Sequence, residues 1–93
     1  MANNITGNPW SLDTAAAVTT ETMRVKRSRW VAPAAAGADE LIIHDSAGRV
    51  VHKAVASGAN FQDDQLVETS GPDDWKGVTV NTIDSGTAFI YYY

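Results

Sequence analysis

Turn signals cut this chain into runs too short for ordinary helices. Asp45-Ser46-Ala47-Gly48, Gly58, Gly71-Pro72 and Asp84-Ser85-Gly86 separate stretches rich in valine, isoleucine, threonine and aromatic residues. No stretch sustains the ~3.6-residue apolar period of an amphipathic helix. Short strands with turns between them predict an all-β fold, a small antiparallel β-sandwich or barrel of six or seven strands. The 93 residues suffice for one domain, placed over residues 10–93. Residues 1–9 are polar, carry Gly7 and Pro9, and read as an extended N-terminal arm, either frayed or reaching onto a neighbouring subunit.

Local patterns place the strands. Trp10 to Thr14 reads as a short edge strand, and Ala15 to Thr20 as loop or edge strand, because Val18, Thr19 and Thr20 are poor helix formers. Glu21 to Ala32 reads as one strand that Pro33 ends. In it Met23, Val25 and Val31 share one parity, and Arg27 and Arg29 interrupt that parity, which predicts a bulge or a change of face near them. Glu40 to Asp45 and Arg49 to Ala56 form a hairpin. Asp45 and Gly48 suit a type I turn followed by a bulge. Ser57 to Asp64 reads as loop, Gln65 to Thr69 as a short strand and Ser70 to Asp74 as a turn. Gly77 to Ile83 and Thr87 to Tyr93 are the last two strands, joined by the tight turn at Asp84-Ser85-Gly86.

Little in the sequence points to catalysis. His44 and His52 lie on the two arms of the hairpin, without cysteine and without a third ligand at a suitable spacing. A catalytic zinc site needs three protein ligands, so both are expected to be rim or solvent-facing histidines and no metal is expected. Ser57, Ser70 and Ser85 each neighbour a glycine in a turn, and none lies in a nucleophile elbow. Asp63-Asp64 and Asp73-Asp74 read as solvated loop carboxylates, with a weak calcium site as the lesser alternative. The chain is therefore expected not to be an enzyme and to use no cofactor.

Two features stand out from that background. Arg24, Lys26, Arg27 and Arg29 are four of the seven basic residues and fall in one short stretch beside Trp30. Basic strands can track phosphates, but the net charge of -4 argues against a nucleic-acid partner. An acidic patch on another subunit and a charge-guarded edge strand are the other readings. The second feature is the closing run TAFIYYY. Its alternate side chains face opposite ways, so one set enters the core and the other needs cover. Trp30, Trp75, Tyr91 and Tyr93 are the expected packing anchors of an interface. A small domain with no disulfide to reinforce it often completes its burial by oligomerising.

NPWSLDTAA, RVKRSRWVAP, DSAGRVVHKA and WKGVTVNTIDSGTAFIYYY together resemble a family of small structural proteins of tailed bacteriophages. The resemblance spans most of the chain and departs from the family pattern at Arg27, where an apolar residue is the rule. It implies a virion component, foremost a capsid decoration (cement) protein, with a tail or head–tail joining protein as the neighbouring alternative. It also implies a trimer or other symmetric homo-oligomer bound to a major capsid protein, and no catalytic residues. The first ten residues lack the basic and apolar regions of a secretory signal, and no apolar run approaches the ~20 residues of a membrane span. A cytoplasm, or a particle assembled there, is the expected location. A reading from another class is a small carbohydrate-binding β-module with Trp10 or Trp75 in an open groove.

Overall fold

A computed structural model describes residues 3–66 and 74–92. Its elements are β1 (Trp10–Leu12), β2 (Ala16–Met23), β3 (Val25–Ala32), β4 (Glu40–His44), β5 (Val50–Val55), β6 (Phe61–Leu66), β7 (Trp75–Ile83) and β8 (Thr87–Tyr92). They form two four-stranded antiparallel sheets, in the orders β1-β8-β3-β6 and β2-β7-β4-β5. The sheets pack face to face as a β-sandwich. Leu12, Val25, Trp30 and Ile90 of the first sheet meet Leu41, Ile43, Trp75, Val78 and Val80 of the second in one apolar core.

The hairpin forms as the sequence predicts. The Asp45 carboxylate accepts the backbone N–H groups of Ala47 (3.0 Å) and Arg49 (2.8 Å), and the Gly48 N–H donates to the Asp45 carbonyl at 3.0 Å. Gly48 adopts φ +88°, and the register shifts between Ile43 and His44, which is the expected bulge. Those hydrogen bonds, the Arg49 one foremost, hold the Asp45 carboxyl below its usual pKa against the opposing effect of burial.

The stretch from Glu21 to Ala32 is not one strand. It divides at Arg24 into the end of β2, which pairs with β7 in the second sheet, and β3, which pairs with β6 and β8 in the first. A bulge between Val25 and Arg27 then reverses the parity, so Ser28, Trp30 and Ala32 point inward and Arg27, Arg29 and Val31 outward. The face change predicted near Arg27 is real, and the bulge between Val25 and Arg27 produces it. The predicted loop at Ser57–Asp64 is also shorter, because β6 begins at Phe61. Val67 to Thr69 of the strand predicted over Gln65–Thr69, and Ser70 to Asp73 of the turn predicted over Ser70–Asp74, lie outside the described residues.

Residues 3–9 fold back onto their own domain. Asn4 and Ser11 exchange backbone hydrogen bonds of 2.8 and 2.9 Å, and the Asn3 side chain accepts from the backbone N–H groups of Asp13 and Thr14. Asn8 clasps both polar backbone groups of Tyr92, whose hydroxyl donates to the Gly7 carbonyl. The segment read as a free arm is a cover over the β1 and β8 side of the first sheet.

Candidate interaction surface

The outward face of the first sheet gathers several of the residues singled out from the sequence. Cross-strand pairing sets Arg27 beside Tyr91, Arg29 between Phe89 and Asp64, and Val31 between Thr87 and Gln62. The face exists because β3 is flanked by two strands and its bulge turns both arginines outward together. Arg27 Nε donates to Asp64 Oδ1 at 2.9 Å, and its guanidinium carbon lies 5.7 Å from the centre of the Tyr91 ring. Arg29 donates through Nη2 to Gln62 Oε1 at 2.5 Å. Its Nε is 4.0 Å from Asp64 Oδ1, too far for a hydrogen bond, and is the one buried side-chain polar atom among the described residues without a partner.

Two guanidinium groups thus share one carboxylate. The Arg27 hydrogen bond, foremost, lowers the pKa of Asp64 and raises that of Arg27. One positive charge is left over on a face that also presents half-buried Phe89, Tyr91 and Val31. Arginine, tyrosine and phenylalanine on a flat surface are the residue types enriched in the cores of protein interfaces.

The other expected anchors are placed elsewhere. Trp30 is fully buried, packs edge-on against Phe61 with ring centres 5.6 Å apart, and donates its indole N–H to the Ser85 carbonyl at 2.9 Å. Trp75 is 2% exposed and Trp10 7%. These tryptophans fill the core that a domain of this size must build, so Trp30 and Trp75 offer no surface to a partner. Trp10 and Trp75 are both buried, so neither presents the exposed indole face that would favour the carbohydrate reading. Arg24, between β2 and β3, and Lys26, near the start of β3, are exposed, and Tyr93 lies outside the described residues.

The sequence reading missed a polar chain between the sheets. His52 is not a rim residue: it is 2% exposed, with Nδ1 2.7 Å from Ser28 Oγ and Nε2 2.8 Å from Asp63 Oδ2. Asp63 is therefore a strand residue of β6, not a loop carboxylate. The signal was present, since His52 shares parity with Ala54 and Ala56 and so faces the core side of its strand. The order serine, histidine, carboxylate is that of a hydrolytic triad, yet the Ser28 hydroxyl is enclosed in the core, where no substrate carbonyl can approach it. What the chain does physically is join β5 of one sheet to β3 and β6 of the other. His44 is half-buried, with Nδ1 2.9 Å from the Asp45 carbonyl oxygen. Compared with protein-family models, curated proteins and solved structures, the chain matches none of them.

Proposed function

We propose that this protein is a non-enzymatic structural component of a bacteriophage particle, a capsid decoration protein that docks on the shell through the outward face of its first sheet. The observation that carries this reading is the surface of Arg27, Arg29, Val31, Phe89 and Tyr91, a four-stranded platform with aromatic bodies and one surplus positive charge. The likeness of its motifs to those of phage structural proteins supports the same reading. A decoration protein binds many equivalent lattice sites, so a modest contact repeated over a shell suffices.

The test is co-sedimentation with phage shells that lack the protein. Arg27→Gln combined with Tyr91→Thr removes a charge and an aromatic body while keeping a strand-compatible surface. It is cleaner than reversing the charge, which would set new glutamates against Asp64. The double variant should melt within a few degrees of the wild type and bind shells about tenfold or more weakly, as loss of central interface contacts does. Undiminished shell binding by a folded double variant would rule out this face.

A further inference from the structure

β6, the outermost strand of the first sheet, is fastened differently from the rest. None of its described side chains is buried: Phe61 and Asp63 are half-buried, and Gln62, Asp64 and Gln65 are exposed. Of these only Phe61 packs on the apolar core, through its contact with Trp30. β1, β3, β4, β5, β7 and β8 each bury at least one apolar side chain in that core. β2 buries none but packs two on it, Val18 and Met23.

Polar contacts take the place of burial. Beside its backbone ladder to β3, the strand is held by three side-chain hydrogen bonds. Asp64 accepts from Arg27 at 2.9 Å, Gln62 accepts from Arg29, and Asp63 lies 2.8 Å from His52 Nε2 on β5 of the opposite sheet. A strand anchored by apolar burial leaves only when the core opens, whereas one anchored by charge can leave while the core stays shut. Residues 57–60, which lead into β6, are exposed or half-buried, so the strand can swing away while Ala56 stays buried.

We propose that β6 is a releasable strap, which separates from β3 as a unit while the other strands stay folded, and that Asp63 and Asp64 are the groups that fasten it. Release bares the second backbone edge of β3. It also takes Asp64 away from Arg27 and Arg29, so the outward face offers two uncompensated guanidinium groups in place of one surplus charge. The strap thereby sets how much charge that face presents. This use rests on the reading of the face as a docking surface, whereas the release does not, and its test needs no shells.

Native-state amide hydrogen exchange on the purified chain is the test. The β6 amides bonded to β3 should exchange at least about a hundredfold faster than those of β4 and β7, and with little dependence on dilute guanidinium, because a local opening exposes little surface. Asp63→Asn with Asp64→Asn weakens charge-assisted bonds and should speed β6 about tenfold. Raising NaCl from about 0.05 to about 1 M should speed it about threefold. β2 is the control, since it is as thinly buried and forms no ion pair among the described residues, and neither change should move it. The native chain has no cysteine, so Val31→Cys with Gln62→Cys, which face each other across the ladder, should form a disulfide that slows β6 to the rate of β4, and reduction should restore it. β6 amides that share the steep guanidinium dependence of β4 and β7 overturn the release. Fast exchange that the disulfide leaves unchanged overturns departure from β3. Equal responses of β6 and β2 to the two asparagines overturn the fastening role of the carboxylates.

Discussion

At the scale of single residues, the most consequential side chain is His52. With Asp63 ionised, Nε2–H donates to the carboxylate, and in the neutral ring Nδ1 accepts from the Ser28 hydroxyl. In the charged ring Nδ1 donates to the same oxygen, so both ring nitrogens keep partners in either form. Removing the ring leaves a cavity and two polar groups without a partner. His52→Ala should therefore cost about 3 kcal/mol in urea unfolding, and Ser28→Ala, which strands only Nδ1, about 1–2 kcal/mol. A loss below about 1 kcal/mol for His52→Ala would mean that water replaces the ring and that the chain does not join the sheets. Asp45 bears on acid stability. Its pKa is lower in the folded chain, so the unfolded chain takes up protons first and stability falls as pH drops below about 4. Asp64 acts in the same direction. Asp45→Asn keeps an acceptor oxygen for the turn but has no proton to gain, so its stability-against-pH curve should be flatter than the wild type's between about pH 2 and 5. An unchanged acid limb would remove Asp45 from the cause.

At the scale of elements, two turn glycines look alike in sequence and differ in structure. Gly48 and Gly86 both have positive φ, at +88° and +75°. A side chain at Gly48 would meet nothing within 4 Å, whereas one at Gly86 would run into the Val31 carbonyl oxygen and the Ala32 Cα and Cβ. Gly48→Ala should cost about 1 kcal/mol, the strain of a left-handed alanine. Gly86→Ala should cost about 3 kcal/mol or more, since the β7–β8 turn must also move off β3. Thermal melts of the two variants compare them directly. Equal losses would show that the turn at Gly86 shifts freely and that its closeness to β3 is not needed for packing.

At the scale of the whole molecule, every strand pairing except that of the β4–β5 hairpin joins strands distant in sequence. β1 pairs with β8, β2 with β7, and β3 with β6 and β8. Long loops must close before such pairings are rewarded, so refolding should take milliseconds to seconds in stopped-flow fluorescence of the buried tryptophans. Refolding within about 100 μs would contradict a transition state built from these distant pairings.

Residues close in sequence account for what could be read without the fold. Alternating apolar residues and turn chemistry are local properties, so the all-β class, the Asp45–Gly48 hairpin, the stop at Pro33 and the last two strands were legible. The basic stretch and the outward potential of Tyr91 were legible for the same reason. Tertiary structure decided the rest. The division at Arg24 depends on which sheet each half can join. The strand character of Phe61–Asp64 depends on Arg27, Arg29 and His52, which lie far away in sequence and turn two carboxylates from solvated loop groups into paired ones. The inward fate of Trp30 and Trp75 follows from the need to fill a small core, and a sequence cannot show which large side chains that core will take. An interface is a property of what remains outside once the core is full, so Arg27, Arg29 and Tyr91 became one surface only when β3 and β8 paired.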